Sequence, residues 1–417
     1  MLVKADKGET IVIMDQASYD QKMFQFLESA GAKKIRSPFT KHNELVRAAI
    51  DKSKLIIKSN HQNFKVMNPS TPKLFGQVKL HKEEQTMRPV VAYYTDPSFK
   101  LAQFLLAWFH AFSNFNPCYT IKNSVELSNK LKDRKFPVGS RLISFDVKSL
   151  FSKVPVARAL QKMFQILEEA HVPEDHINEF KDLIKQCVDQ NVCVFRGKTF
   201  QFPDGLPMGA PLSPLIADIF MDLLETSILD TSLQSSYVKH WSRFVDDILC
   251  IWCGPDSALQ LFFQELNEFD PSIKFTQELG GNSLNFLDLT LTLREFGNVQ
   301  KIEFSIYRKP SYTGVSIHAD SLHPDVHKSA IINSAINRLV NVPLGPAATE
   351  QETNTIKRIA KINGLNLNID RMIRRRKLQQ LLSLQTPRNP RSERIKWVKL
   401  PFLGAPSQKL ASELRRF

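Results

Sequence analysis

No apolar run in this chain reaches the roughly 18 residues that a helical membrane span requires. Met1 to Gly8 is polar and charged, so no secretory leader is visible there. Five cysteines in 417 residues are too few for a disulfide framework. One pair, Cys250 and Cys253, has CxxC spacing, but Ile251 and Trp252 between them read as strand core and no second pair follows. The chain is therefore expected to be intracellular and reduced. No internal repeat or low-complexity tract stands out. Acids are scarce at one end: from Arg371 to Phe417, thirteen Lys/Arg face two acids, Glu393 and Glu413.

What is present suits a globular protein with a polyanionic partner. The chain is 42% hydrophobic and 24% charged, enough for two or three domains with real cores. Its net charge is +14. A basic flank of this kind makes nucleic acid the first candidate partner.

The periodicities alternate between strand and helix. Thr10–Met14 reads as a short strand, followed by helical periodicity from Asp15 onward. Lys73–Leu80 and Arg88–Ala92 read as strands, with Lys79, His81, Lys82 and Arg88 on or beside their turn. Asn123–Lys132 is helical, and Arg141–Phe145 is a buried strand that delivers Asp146. Residues 157–190 read as one or two amphipathic helices with a break at Val172-Pro173. Val192–Phe202 resembles a hairpin turning at Arg196-Gly197-Lys198. Gly205–Pro214 is a loop, Leu215–Leu229 a helix, and Ser257–Phe269 another. Asn285–Leu293 reads as a strand with Asp288 at its centre, paired with Ile302–Tyr307. Helices are expected near 325–340 and 349–362, joined by a linker over Asn341–Ala348. The pattern predicts an α+β fold, a small sheet backed by helices.

The most informative segment is Phe244-Val245-Asp246-Asp247, about 100 residues after Asp146. Trp241–Phe244 and Ile248–Trp252 bury the flanks, and two adjacent carboxylates between them repel unless a cation sits there. A pair of divalent ions held by three aspartates resolves that cost. Two such ions roughly 4 Å apart are the machinery of metal-assisted phosphoryl transfer.

Three segments occur in order: Ser144-Phe145-Asp146-Val147-Lys148-Ser149-Leu150-Phe151, Gly205-Leu206-Pro207-Met208-Gly209-Ala210-Pro211-Leu212-Ser213-Pro214, and Phe244-Val245-Asp246-Asp247. Together they resemble the palm of a reverse transcriptase. Further segments narrow the resemblance to Penelope-like retroelement reverse transcriptases: Lys4-Ala5-Asp6-Lys7-Gly8, Lys79-Leu80-His81-Lys82, Arg88-Pro89, Asn285-Phe286-Leu287-Asp288, Tyr307-Arg308-Lys309-Pro310 and Ser321-Leu322-His323-Pro324. Members of that group often carry a GIY-YIG-type nuclease after the polymerase. Nothing in the chain resembles one, and Leu400-Pro401-Phe402-Leu403-Gly404 looks like the connector that would precede it. Two positions depart from the pattern: Phe244 stands where tyrosine is common, and Ala210 where serine is frequent.

The resemblance implies a right-hand polymerase. Residues 1–135 would be an N-terminal segment and fingers, 136–300 the palm with a fingers insertion within about 157–204, and 301–417 a helical, basic thumb and connector. It implies an RNA-directed DNA polymerase of a Penelope-like retrotransposon that extends a primer 3′-hydroxyl with dNTPs on an RNA template, with two Mg²⁺ or Mn²⁺ ions. Asp146, Asp246 and Asp247 would be catalytic, and they and the Val147 carbonyl would hold the metals. Lys79 and Arg88 would grip the triphosphate, with Lys82 competing for the place of Lys79. Met208 and Gly209 would line the nucleotide site. Phe151 would be a steric gate against a 2′-hydroxyl; a core phenylalanine is the other reading. Lys274 would be a general acid, against a solvated lysine. Phe286, Leu287 and Asp288 would form a primer-holding hairpin, where Asp288 reads as structural rather than as a metal ligand. His318, His323 and His327 lack a thiolate companion. Arg374-Arg375-Arg376-Lys377 is either a phosphate-contacting segment or a nuclear import signal. The expected location is the nucleus, with no membrane partner; the sequence leaves the oligomeric state open. Two other readings stay open: an RNA-directed RNA polymerase, and a domesticated or truncated, catalytically silent nucleic-acid-binding protein.

Overall fold

The computed structural model describes residues 1–6, 11–79, 86–310, 312–385 and 405–414. The architecture is mixed α+β, with helices backing sheets whose assigned pairings are mostly antiparallel. The chain divides into two compact units, one of Met1–Thr120 and Ile143–Glu278, the other of Ile121–Leu142 and Leu279–Phe417. These are units of packing, a different division from the fingers, palm and thumb expected from sequence.

The first unit holds two sheets. One has four strands in the order Val238–Phe244, Asp247–Trp252, Arg141–Val147, Phe275–Gly281. From Ile143 to Val147 the alternation is clear: Ile143, Phe145 and Val147 are buried, Ser144 half-buried and Asp146 exposed, while Leu142 before them is buried as well. The sheet rests on the helices Val156–Glu169, Ser213–Thr231 and Asp256–Glu268, which share its core. Phe145, Trp241, Trp252 and Phe262 interlock there, with Trp241 and Phe262 edge-to-face at 5.9 Å. Asp270 follows the last of these helices: its carboxylate takes the Ser272 amide and hydroxyl at 2.9 and 2.6 Å and the Arg158 guanidinium at 2.6 Å.

The other sheet has five strands in the order Lys33–Ile35, Lys198–Gln201, Val192–Phe195, Lys73–Val78, Met87–Ala92. The helix Gln16–Ser29 covers it with Tyr19, Met23 and Leu27. Asp15 caps that helix by accepting from the Ser18 amide at 3.1 Å. The N-terminal hairpin Leu2–Lys4 and Ile11–Ile13 runs on to the sheet through a parallel bridge between Ala5 and Val78.

The second unit pairs Ser283–Phe286, Leu289–Phe296, Val299–Ile306 and Phe136–Pro137 in one sheet. Ala330–Asn341, Pro346–Ile362 and Ile369–Gln385 build its helical core around Ile332, Ile336, Leu339, Ile356 and Ile359. Arg308 grips Glu352 with both terminal nitrogens, at 2.6 and 2.5 Å.

Three expectations need correction. Asn285–Leu293 is not one strand: Phe286 pairs with Leu289 and leaves Leu287-Asp288 as a two-residue turn. The apolar alternation slips by one between Leu284/Phe286 and Leu289/Leu291/Leu293, and that slip marks the turn. The linker over Asn341–Ala348 is shorter than expected, because a helix starts at Pro346, where a missing N–H costs nothing. Phe99–Phe112 is a helix that the periodicities do not separate. Its inner face is Leu101, Ala102, Leu105, Trp108 and Phe109, and further apolar residues, Phe104, Leu106 and Phe112, blur the contrast.

Candidate active site

Phe244 and Asp247 form the last pair of the hairpin that carries the two adjacent aspartates, so Val245 and Asp246 make a two-residue turn. Val245 is left-handed, at φ 59°. Primed hairpin turns demand this at their first central position, and a β-branched residue pays roughly 1–2 kcal/mol for it. The turn is held from two sides. The Val147 amide donates to the Asp246 carbonyl at 3.1 Å, and the Arg243 guanidinium donates to the Val245 carbonyl at 3.2 Å. The first bond brings the end of Arg141–Val147, and with it Asp146, beside the turn. Asp146 and Asp247 are exposed and Asp246 is half-buried.

Arg243 stands just before this turn and has no place among the motifs legible in the sequence. It is completely buried. Its Nε donates to both oxygens of the buried Glu225 at 3.0 Å, and its terminal nitrogens reach Asp218 at 2.7 Å and the Thr120 hydroxyl at 2.8 Å. The Trp241 indole donates to Glu225 at 3.0 Å. Desolvation works against the Arg243 charge, but Glu225 and Asp218 outweigh it and hold the guanidinium above its ordinary value. Burial pushes Glu225 up as well, against the Arg243 charge and the hydrogen bonds from Trp241 and Arg243. With this many donors around its carboxylate, the geometry favours the ionised pair. A usable signal was in the sequence. A buried arginine needs counter-charges, and Asp218 and Glu225 lie seven residues apart on one side of a largely apolar helix.

The loop before that helix is stitched to its surroundings. The Leu206 amide donates to the Phe151 carbonyl at 2.5 Å, the Val91 amide to the Met208 carbonyl at 3.0 Å, and the Ser213 hydroxyl to the Pro207 carbonyl at 2.9 Å. Two glycines permit this approach. Gly205, at φ +81°, would put a Cβ 2.5 Å from the Ser152 carbonyl oxygen, and Gly209, at φ +129°, would put one 2.4 Å from that of Val91. Phe151, Met208, Gly209 and the strand that carries Arg88 are thus brought together.

Phe151 is half-buried and packs on the main core. The Lys79 amide donates to the Thr86 carbonyl at 2.9 Å. His81 and Lys82 lie outside the described residues. Arg88 sits second in Met87–Ala92, its Nη1 2.9 Å from Oδ1 of Asp6. The Lys274 ammonium donates to the Asn267 carbonyl at 2.6 Å, while its own carbonyl accepts from the Lys148 amide. In the other unit, Leu287 is left-handed at φ 57°, and Asp288 pairs with Arg338 at 2.7 Å. Cys250 lies fully buried in a strand, where burial pushes its thiol well up. Arg376, in the basic run, donates to Asn337 at 3.1 Å.

Among the described residues, no three His, Cys, Asp or Glu side chains gather closely enough to hold a metal ion by themselves. No described helix is long and apolar enough to cross a membrane.

Comparison with known proteins fits this geometry. Residues 80–275 match the family model of reverse transcriptase (RNA-dependent DNA polymerase). No curated protein matches the chain. Among solved structures, the chain is similar to telomerase from Candida albicans in complex with a fragment of telomeric RNA: TM-score 0.58, 9% identity, 87% of this chain and 63% of that one. It is also similar to apo telomerase from Candida tropicalis: TM-score 0.50, 12% identity, 86% of this chain and 63% of that one. At these identities the likeness speaks for the fold, and the chain spans less than two thirds of the telomerase chains. The described fold is that of a right-hand polymerase, and residues 80–275, just under half of the chain, are similar to a reverse transcriptase domain.

Proposed function

Because residues 80–275 match the reverse transcriptase family model, we propose that the chain is the RNA-directed DNA polymerase of a Penelope-like retroelement. It would extend a primer 3′-hydroxyl with dNTPs on an RNA template. The observation that carries this reading is the bond from the Val147 amide to the Asp246 carbonyl at 3.1 Å, which sets Asp146 beside the Val245-Asp246 turn and the adjoining Asp247. The segments that resemble Penelope-like sequences support the narrower assignment.

The donors suit Mg²⁺ or Mn²⁺, which take hard oxygens and complete their shell with water and substrate phosphates. Asp146 and Asp246, with Asp247 and the Val147 carbonyl, are the residues that would hold two such ions. When bound, the ions lower the pKa of the primer hydroxyl and neutralise the departing pyrophosphate. The chain's own groups act by position and charge. Arg88 presents a planar fork to the triphosphate, with Lys79 as a second cation. The glycines of the loop let backbone approach the nucleotide. Phe151, fixed by its carbonyl bond to Leu206, offers a ring against a ribose 2′-hydroxyl. Phe286, Leu287 and Asp288 form a tight hairpin of the kind that can hold a primer. Lys274 is the weakest of these assignments, because its ammonium is engaged by a carbonyl.

The test is primer extension on an RNA template with dNTPs and Mg²⁺ or Mn²⁺, beside Asp246→Asn. Extension that vanishes in the variant is the expected result. A folded, RNA-binding protein that never extends a primer would refute the polymerase reading and favour the silent binding protein.

A further inference from the structure

We infer that Asp6 is a positioning residue for Arg88, setting its guanidinium to receive the triphosphate of the incoming nucleotide; this rests on the polymerase reading above. The Asp6 side chain is 1% exposed, and neither oxygen has an aligned hydrogen-bond donor among the described residues. A buried carboxylate without such donors is costly, and one that persists calls for a specific partner. Its partner is Arg88, with Nη1 2.9 Å from Oδ1.

The backbone sets the two side by side. Ala5 bridges Val78, and the Asp6 amide donates to the Val78 carbonyl at 2.9 Å. Val78 faces Met87 across the next strand pair, one residue from Arg88. The N-terminal strand therefore ends where the arginine begins. The arginine itself is not sequestered: its side chain is 44% exposed. A guanidinium has five N–H donors in a fixed fork. Asp6 engages one side of that fork from the protein interior and leaves the rest toward solvent. A fork oriented in advance loses less freedom when it grips a phosphate. Three residues along the same strand, Val91 is hydrogen-bonded to Met208 of the glycine loop, so the oriented cation belongs to the wall of the nucleotide site.

The experiment compares the wild type with Asp6→Asn, Arg88→Ala and the double variant, using the full chain. Two readouts are taken: binding of inorganic tripolyphosphate by calorimetry, and the KM and kcat for dNTP in primer extension. A partly buried ion pair, worth somewhat more than a fully exposed one, corresponds to roughly a tenfold change. We expect Asp6→Asn to raise the tripolyphosphate Kd and the dNTP KM by about that factor, to leave kcat within about threefold, and to add nothing once Arg88 is alanine. Asp6→Glu, which keeps the charge one methylene further out, should fall between wild type and Asp6→Asn, and it replaces Asp6→Asn if that variant does not fold. Unchanged or tighter tripolyphosphate binding in a folded variant, or losses that add independently of Arg88, would overturn the inference. Failure of the polymerase reading looks different: the wild type would extend no primer, whereas the tripolyphosphate cycle reports the Asp6–Arg88 coupling without any extension.

Discussion

Replacing Arg243 by methionine is expected to destabilise the first unit by an amount that depends on pH, through a carboxylate sealed in the core. Methionine fills much of the arginine volume, so packing is largely kept. What is lost is the positive charge facing Glu225, which is 0% exposed and, among the described residues, keeps the Trp241 indole at 3.0 Å as a donor, with the Asp222 carboxylate still acting against its ionisation. Removing one partner of a buried pair typically costs about 3–5 kcal/mol. Protonation sets a ceiling on that cost. At pH 7, neutralising a carboxyl of ordinary pKa near 4.3 takes roughly 3.7 kcal/mol, at 1.36 kcal/mol per pH unit. At pH 5.5 the same step takes about 1.6 kcal/mol. The sign follows from linkage: a carboxyl whose folded pKa lies above its unfolded one binds more protons when folded, so stability falls as pH rises above the unfolded value. Arg243→Met should therefore regain about 2 kcal/mol between pH 7 and pH 5.5 relative to wild type. Urea unfolding at the two pH values measures this directly, and Glu225→Gln in the same background should abolish the difference. A penalty under about 1 kcal/mol, or one equal at both pH values, would refute the claim that Glu225 is a buried, arginine-dependent carboxylate.

Other consequences can be checked in the same preparations. Gly209→Ala must push the loop from the Val91 carbonyl, and a misplacement of this size should lower kcat/KM roughly a hundredfold with the far-UV circular dichroism unchanged. Desolvation acts to raise the Asp270 carboxyl, but Ser272 and Arg158 together hold it below its ordinary value. Its contribution is therefore present above the unfolded pKa and lost as pH falls through the folded one, so Asp270→Asn should flatten the acid limb of a stability–pH curve below about pH 4. Burial pushes the Cys193 thiol up to about 12 and those of Cys187 and Cys250 beyond any ordinary range. A thiol reagent at pH 8 should then label Cys118 readily and Cys253 more slowly, and all five only after denaturation.

Much of this was legible in the chain, and the exceptions have physical causes. The strand that delivers Asp146, the hairpin at Asp246-Asp247 and the paired helices around Pro173 announce themselves because each has one apolar face or a decisive turn residue. Phe99–Phe112 does not, since apolar residues on its outer side remove the contrast that periodicity needs. The turn at Leu287-Asp288 was hidden because it contains neither glycine nor asparagine; only the slipped alternation betrays it. The site divides in the same way. Carboxylates and glycines are visible as types at positions, so Asp146, Asp246, Gly205 and Gly209 could be read. Arg243 with Glu225, and Arg88 with Asp6, are pairs separated by 18 and 82 residues, and a pair is a property of the fold.

The bond between Val91 and Met208 also bears on how the molecule can move. It ties the strand that bears Arg88 to the floor against which a nucleotide would lie. If that tie survives a catalytic cycle, the two cannot swing apart as separate bodies. Any opening must pivot on the outer stretch of the strand, where Arg88 stands three residues away, a lever of roughly 10 Å at about 3.3 Å per residue. A lever so short produces small strokes. Discrimination among nucleotides would then depend on fit within a nearly preformed cleft, and mutations that lengthen or loosen the strand's outer end should blur selection before they slow chemistry.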